Sequence, residues 1–279
     1  MRRLLLFVVL AGFSVGASSQ SRVECRPVPY KNVICLHVEH SPQGLAVYGR
    51  YALMLRHGGQ LVPIDIKEGL VCFGCHLPNN TTHCNNASWG TRRRGKLPLL
   101  YVSDCYGEKY CRVYDIKAIR LRHTSEFCAE EVQRIVFETQ QPSYAMDWCV
   151  DAANHHLYAY GGQRGGELWL KEFSLPNSSD TLVRLTDSDV LRTITVRGVD
   201  IPQGSMVRKG RIYLLDGDEP GSLWLRVYDL KSGQELGVLD LNNVGLEPEG
   251  ISANGRWVYV SFNGGVQGDK IIKYKLPRK

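Results

Sequence analysis

The segment SPQGLAVYGRYALMLRHGG, residues 41–59, recurs in altered form along the chain and decides the fold. Its clearest copies are IPQGSMVRKGRIYLLDGDE at 201–219 and EPEGISANGRWVYVSFNGG at 247–265. Each copy has a polar residue followed by glycine, a short apolar run, a Gly-Arg turn and a second apolar run. This order predicts two antiparallel strands joined by a tight turn, which is a β-hairpin.

Two weaker copies fill the gap between the clear ones. They are CNNASWG with LPLLYVSDCYG at 84–107, and YAMDWCVDAANHHLYAYGG at 144–162. A further apolar run follows each hairpin, as LVPIDIK, CRVYDIK, LWLKEFS, LRVYDLK and IIKYKLP. The matching positions in these runs are roughly 50 residues apart, and they are Asp65, Asp115, Glu172, Asp229 and Lys275. The chain therefore contains five copies of one unit.

A period near 50 residues with three or four strands and no helical segment is typical of propeller blades. We expect an all-β fold in which residues 21–279 form a single β-propeller of five blades, each with about four antiparallel strands. EGLVCFG, AIRLRH, DTLVRLT and GQELGVLDL are predicted as fourth strands, and the strand at 33–40 is predicted to complete the last blade. A sandwich of two sheets is the alternative fold.

The first twenty residues, MRRLLLFVVLAGFSVGASSQ, have the pattern of an export signal. Two arginines precede an apolar run, and small residues suited to cleavage follow it. We therefore expect a secreted or periplasmic protein. Nothing after residue 20 approaches the length of apolar sequence that a spanning helix needs, so stable membrane insertion is not expected.

The charge balance is mildly basic. The chain has 34 Lys and Arg against 28 Asp and Glu, a formal net charge of +6. Without Arg2 and Arg3 of the signal segment the balance is 32 against 28, or +4, which is too weak to indicate nucleic-acid binding. The densest basic cluster, at 92–96, is interpreted as a solvated turn.

At least one polar residue of each blade lies where its innermost strand begins, a position that faces the mouth of a propeller's central channel, and further polar residues lie close to it in sequence. These side chains either tie the blades together through hydrogen bonds or bind a small molecule or a cation such as Ca²⁺, which accepts carboxylate and amide oxygens. The candidate ligand-binding residues at the channel mouth are Gln43, His83, Asn85, Asn86, Asp104, Asp147, Gln203 and Glu249.

The blade starts QG and EPEG, the third strands YDIK and YDLK, and the export signal together resemble a superfamily of exported propellers. This superfamily includes YVTN, NHL and gluconolactonase-like proteins, and the chain is most similar to exported propellers of Bacteroidetes-type bacteria. The gluconolactonase resemblance implies a divalent cation held by Glu249, Asp147 and an Asn at 85 or 86, with Asn86 the preferred third ligand. Gln43 and Gln203 depart from that pattern.

Three classes of function remain open at this point. The first is binding of a small molecule, a glycan, a cation or an extracellular protein at the channel mouth. The second is an enzyme at the same place, either a metal-assisted lactonase or a glycoside hydrolase that uses Asp147, Glu249 and Asp104 as acids and bases. The third is a non-catalytic scaffold that binds partners through its outer loops.

Nine cysteines in an exported protein predict disulfides, and we expect at least two. Cys105 and Cys111 flank a tight turn, so they are expected to pair across it, and Cys72 and Cys75 are further candidates. The segment CFGCH at 72–76 also matches the attachment pattern of covalent haem, with His76 as the axial ligand. Haem is not expected, because the surrounding sequence predicts an outer strand rather than a helical domain.

A zinc site is another interpretation of the cysteines. Cys72, Cys75, His83 and Cys84 are ligand types that zinc accepts, but an oxidising compartment favours disulfides over thiolates.

Overall fold

A computed structural model describes residues 24–27, 41–163, 165–177, 179–265 and 268–275. The predicted export signal at 1–20 and the predicted closing strand at 33–40 lie outside the described residues. Within them, helical geometry occurs as single 3-10 turns at His57–Gly59, Asp187–Asp189 and Asn242–Val244. The described part of the chain has no helix with the length and hydropathy needed to cross a bilayer.

The strands form five separate sheets, one for each predicted blade. The first described strand is β1 (Glu24–Pro27). Blade 1 contains β2 (Pro42–Tyr48), β3 (Tyr51–Arg56), β4 (Gln60–Asp65), β5 (Leu70–Val71) and β6 (Cys75–His76). Blade 2 contains β7 (Ala87–Arg93), β8 (Pro98–Ser103), β9 (Cys111–Arg120) and β10 (Ser125–Glu138).

The second half of the chain follows the same plan. Blade 3 contains β11 (Met146–Asp151), β12 (His156–Gly162), β13 (Leu168–Ser174) and β15 (Arg192–Val196), with β14 (Leu182–Thr186) between β13 and β15 in the chain. Blade 4 contains β16 (Pro202–Arg208), β17 (Arg211–Asp216), β18 (Trp224–Asp229) and β19 (Glu235–Asp240). Blade 5 contains β20 (Glu247–Asn254), β21 (Trp257–Asn263) and β22 (Lys270–Lys275). The five-bladed fold predicted from the repeats is confirmed.

Two predicted fourth strands are wrong. AIRLRH begins as the end of the long third strand β9, and the fourth strand of blade 2 is instead β10. DTLVRLT contains β14, which joins β10 of blade 2 as a parallel outer strand, while β15 completes blade 3 beside β13. Both segments have an alternating pattern that suits an outer strand, and this pattern does not specify which sheet receives it.

The last blade is completed by the N-terminal part of the chain. Strand β1 pairs antiparallel with β22, with Cys25 opposite Tyr274. Closure from this end is as predicted, but the strand that performs it is 24–27, earlier in the chain than the segment proposed from the sequence.

The apolar core is divided into five clusters, each packed between two neighbouring blades. Between blades 2 and 3, for example, Trp148 and Phe173 pack with Tyr101 and Ile135. A four-stranded sheet has two apolar faces and cannot bury both alone, so the blades are stabilised by stacking on each other.

The glycine of each clear repeat lies where innermost strands of adjacent blades meet. A Cβ atom on Gly204 would lie 2.6 Å from the carbonyl oxygen of Glu249, and one on Gly250 would lie 2.6 Å from that of Gln43. A side chain would therefore force the backbones apart, so glycine lets the inner strands approach closely around the axis.

Candidate functional site

A cavity of about 230 Å³ opens at the end of the propeller where the innermost strands begin. All five blades contribute to it, through the strand starts or the loops just before them. Six of the eight residues predicted at the channel mouth line this cavity, and they are Gln43, His83, Asn85, Asp147, Gln203 and Glu249.

A shared irregularity at the strand starts positions three of these side chains. The pairing of β2 with β3 shifts between Pro42 and Leu45, and that of β16 with β17 shifts between Pro202 and Ser205. Strand β20 has its shift between Pro248 and Gly250. Each β-bulge re-aims the residue inside it, and Gln43, Gln203 and Glu249 are those residues.

Asp147 is a buried carboxyl on the wall of the cavity, 3% exposed. Its Oδ2 accepts a hydrogen bond from Asn85 Nδ2 at 2.9 Å, whereas its Oδ1 is buried without a hydrogen-bond partner among the described residues. Burial raises the pKa of Asp147 to about 7, because desolvation disfavours the charged form and outweighs the hydrogen bonds it accepts. This side chain can therefore give or take a proton near neutral pH.

Glu247 and Glu249 form an acidic pair on the same wall as Asp147. Their side chains are hydrogen-bonded to each other. Desolvation raises the pKa of Glu249 well above its ordinary value, and the neighbouring charge of Glu247 and a hydrogen bond to it add to this effect. Glu249 is therefore the protonated partner. Glu247 accepts hydrogen bonds from Gln203 Nε2 at 3.0 Å and Asn263 Nδ2 at 3.2 Å.

Aromatic rings form another part of the wall. His83 packs edge-on against Tyr106, with ring centroids 5.0 Å apart, and Tyr106 packs in the same way against the exposed Tyr144. Behind them, His57 Nδ1 lies 2.8 Å from His83 Nδ1. Desolvation lowers the pKa of His83, and the nearby His57 lowers it further. At neutral pH the His83 ring is therefore uncharged.

Two predicted mouth residues, Asn86 and Asp104, are absent from the cavity wall. Asn86 is fully buried and donates through Nδ2 to the Trp148 carbonyl at 2.8 Å and to Ser205 Oγ at 3.0 Å. Asp104 is buried in an ion pair with Arg112 at 2.8 Å and also accepts a hydrogen bond from Thr82. Both predictions are corrected, because these side chains hold the framework behind the cavity.

The cation set of Asn86, Asp147 and Glu249 is not assembled. Asn86 Oδ1, the atom that would bind a metal ion, accepts a hydrogen bond from the Ser205 backbone at 3.0 Å. Among the described residues, no group of three His, Cys, Asp or Glu side chains is arranged to hold a metal ion, which includes the zinc set considered above. Asn86 is therefore not placed to bind a metal ion, whereas Asn85, the other asparagine named for this role, lines the cavity with Asp147 and Glu249.

The structure contradicts the predicted pairing of Cys105 with Cys111, because both are free thiols. Cys105 lines the cavity, whereas Cys111 faces the apolar cluster between blades 2 and 3, so the two side chains point to different places. Cys72 and Cys75 are also free, with Cys72 buried in the cluster between blades 1 and 2 and Cys75 half-buried on β6.

Sequence reasoning missed several residues of the cavity. Glu247 was available from the sequence, because E-P-E places two carboxyls at alternate positions of one strand. Tyr144 also begins the third copy of the repeat. Tyr106 and Asp218 come from the loops that follow the second strands of blades 2 and 4, and Asp200 comes from the segment between blades 3 and 4.

Comparison with known proteins gives the fold and no family. No protein-family model and no curated protein matches the chain. A crystal structure of Myxococcus xanthus glutaminyl cyclase superposes with a TM-score of 0.57 at 11% sequence identity, covering 89% of this chain and 93% of that one. What they share is the fold. The computationally designed Ika8 protein, at 10% identity with 84% and 70% coverage, has a TM-score of 0.30, which is too low to inform.

Proposed function

We propose that this chain binds a small molecule carrying an amine in the cavity at the channel mouth. The proposal rests on Asp147, a buried carboxyl residue of the cavity wall whose Oδ1 has no hydrogen-bond partner among the described residues. Leaving such an atom unpaired costs about 1–3 kcal/mol, which a ligand N–H placed against it would recover.

The charge of the cavity wall favours a cationic ligand. Five carboxyl residues line it, no Lys or Arg is among the described lining residues, and the only basic side chain is the uncharged His83. The five are Asp147, Asp200, Asp218, Glu247 and Glu249. The rings of Tyr106 and Tyr144 add a surface that also attracts cations. A cavity of about 230 Å³ is small, so the bound group has the size of one amino acid or one sugar.

Calorimetry with four probes of similar size tests this proposal. L-Glutaminamide and glucosamine carry an amine, glucose is neutral, and glutarate is an anion. We expect the two amines to bind and glutarate not to bind. Asp147→Asn should weaken amine binding about tenfold, since it removes the charge and places a donor where an acceptor is needed. Glu126→Gln, an exposed carboxyl outside the cavity, is the matched control.

The opposite results would reject amine binding. They are equal binding of glucose or glutarate, no binding of either amine, or unchanged affinity in Asp147→Asn. The last two outcomes would favour a scaffold that uses the outer loops of the propeller.

A second candidate function is acid–base catalysis on the bound amine. The observation that favours it is the pair of Glu247 and Glu249, one a proton acceptor and the other a proton donor, on the same wall as Asp147. The glutaminyl cyclase that shares this fold provides a concrete reaction to test. The α-amine of an N-terminal glutamine would attack its own side-chain amide carbon, forming a C–N bond. One carboxylate would take the amine proton, and a protonated carboxyl would give a proton to the departing ammonia.

Release of ammonia from a glutaminyl dipeptide, followed by mass spectrometry, tests this reaction. Glu249→Gln should abolish it while leaving L-glutaminamide binding within a few-fold, because the variant keeps a hydrogen-bond donor for Glu247. If the wild type binds the amide without releasing ammonia, cyclisation is rejected and amine binding stands.

The hydrolases expected from the sequence can be distinguished from a cyclase by the residues at the site and by one further assay. A lactonase of the gluconolactonase type needs an asparagine ligand, and Asn85 on the cavity wall is the candidate for it because Asn86 is held behind the wall. For a glycosidase, Asp147 and Glu249 line one cavity, but Asp104 is held outside it by Arg112. Hydrolysis of aryl glycosides that is lost in both Asp147→Asn and Glu249→Gln would favour the glycosidase over cyclisation.

A further inference from the structure

The end of the propeller opposite the cavity is basic. Each innermost strand starts at the cavity and ends in a tight turn at this far end. The turns of blades 1, 2, 4 and 5 carry arginines and lysines, whereas the turn of blade 3 carries Asp151 and two histidines. The basic cluster at 92–96, interpreted from the sequence as an isolated solvated turn, is thus one part of a larger surface.

Contacts between blades join these turns into a continuous arc. Arg93 of blade 2 donates to the Tyr48 hydroxyl of blade 1 at 2.5 Å. Asn254 of blade 5 donates to the Gly49 carbonyl of blade 1 at 2.7 Å, and Arg208 of blade 4 donates to the Gly255 carbonyl of blade 5 at 2.7 Å. The order around the arc is therefore blade 2, blade 1, blade 5 and blade 4.

Most cations of this arc make no ion pair among the described residues. Arg50 of blade 1 is neutralised by Asp65 and Glu68. By contrast, the ion pairs found among the described residues include none of the other arc cations, although Asp151, Glu172 and Asp229 line a surface pocket together with Lys209 and Arg211. These other cations are Arg93, Arg94, Lys96, Arg208, Lys209, Arg211, Arg256 and Lys273. Uncompensated like charges on one surface repel each other, and a polyanion that neutralises them binds through release of its counterions.

We propose that this basic arc, formed by the inner turns of blades 2, 1, 5 and 4, is a binding site for an acidic polysaccharide. Carboxylate or sulfate groups along the polymer would pair with the arginines, whose planar guanidinium groups suit such anions. The bound polymer would leave the cavity at the other end of the propeller open.

Two features of the arc favour a polysaccharide over other polyanions. The most exposed large apolar side chains of the described residues lie outside the inner turns, so the arc offers a lipid bilayer few apolar groups beyond the partly exposed Trp257. They are Phe73, Ile119, Leu121, Tyr144, Leu182, Leu191, Leu236 and Val238. The arc also consists of tight turns, without a helix or a long ribbon to enter a nucleic-acid groove.

An aromatic ring in the arc provides a surface for a sugar. The partly exposed Trp257 has Arg256 at 5.6 Å and Lys273 at 5.1 Å from its ring centroid. In blade 2, Trp89 packs at 5.7 Å from Tyr48, which also has the Arg93 guanidinium over its ring. A ring flanked by cations matches a polymer of charged sugars, since it offers apolar contact and ion pairing side by side.

Binding to heparin and to polygalacturonate, measured at several salt concentrations, tests the proposal. We expect the full chain to bind both polymers, with an affinity that falls steeply as salt rises. The triple variant Arg93→Glu, Arg94→Glu, Lys96→Glu in blade 2 should lose about tenfold or more in affinity at low salt. The triple variant Lys209→Glu, Arg211→Glu, Arg256→Glu in blades 4 and 5 should lose a similar factor.

A matched control separates the arc from net charge. Arg184→Glu, Arg197→Glu, Lys270→Glu makes the same charge change at exposed positions outside the inner turns and should keep wild-type affinity. The proposal is overturned by failure to bind either polysaccharide at low salt, or by an equal loss in the control. Equal or tighter binding of duplex DNA or of phosphatidylglycerol vesicles would also overturn it. Amine binding at the cavity is measured separately, so either proposal can fail alone.

Discussion

Asn86, at the entry to blade 2, accepts a hydrogen bond from the backbone N–H of Ser205 in blade 4 at 3.0 Å, across the axis of the ring. Its amide nitrogen also reaches the Trp148 carbonyl of blade 3. One side chain thus connects three blades. The ring holds together at its axis through such polar bonds, whereas apolar contacts hold it farther out.

The first prediction concerns this connection. Asn86→Ala leaves the buried Ser205 N–H and Trp148 carbonyl without Asn86, so we expect a loss of about 3 kcal/mol in the free energy of unfolding. Asn254→Ala, which removes a partly exposed bond to the Gly49 carbonyl between blades 5 and 1, should lose less than about 1 kcal/mol. Urea unfolding of both variants is the measurement, and equal losses would contradict the axial role of Asn86.

The second prediction concerns the close approach of the inner strands. Gly250→Ala places a Cβ 2.5 Å from the backbone nitrogen of Leu45 and should destabilise the fold by about 3 kcal/mol. Gly237 in β19 has no atom within 4 Å of an added Cβ, so Gly237→Ala should change stability by less than about 1 kcal/mol in either direction. Melting temperatures that fall equally in the two variants would refute this account of the repeat glycines.

The third prediction concerns the stability of the fold against pH. Asp147 has a raised pKa of about 7 in the folded chain and an ordinary value of 3.8, so between these values the folded state binds more protons than the unfolded state. Stability from this group is therefore complete below about pH 4 and is lost as pH rises through 7. Asp147→Asn should flatten the decline measured by urea unfolding from pH 4 to 8. An unchanged slope would show that Asp147 titrates normally.

The fourth prediction has the opposite sign. The pKa of His83 is lowered in the folded chain, so the unfolded state binds the extra proton first as pH falls. Stability from this group is present above about pH 6.5, the ordinary value, and is lost as pH falls through the interval below it. His83→Asn should flatten that acid limb, whereas the exposed His123→Asn should leave it unchanged. An identical acid limb in wild type and His83→Asn would exclude this contribution.

The repeats predict the fold well because turn chemistry and strand alternation are local properties of the sequence. Gln43, Gln203 and Glu249 were placed at the mouth for the same reason, since each occupies one position of a clear repeat. The two weaker copies of the repeat did not predict which of two neighbouring residues faces the cavity. Asn85 and Asn86 are adjacent, and neighbouring residues point in different directions, so an error of one residue exchanges a cavity residue for a framework residue.

Contacts outside the repeated positions were beyond the reach of the sequence pattern. The ion pair of Asp104, just after β8, with Arg112 on β9 spans the turn that joins these two strands. Strand β14 joins a neighbouring sheet because β10 is long enough to present a free edge beside it. Neither fact leaves a periodic trace in the sequence.

The pairing of β1 with β22 has a consequence for how the protein is made. The outer strand of blade 5 is synthesised before any other described strand, yet its partner at 270–275 is the last described segment to emerge from the ribosome. During translation, blades 1 to 4 can each form from neighbouring segments, while β1 waits without a sheet to join. Ring closure is therefore a late step after chain synthesis, and an edge strand unpaired for so long is the part of the nascent chain most in need of protection from aggregation.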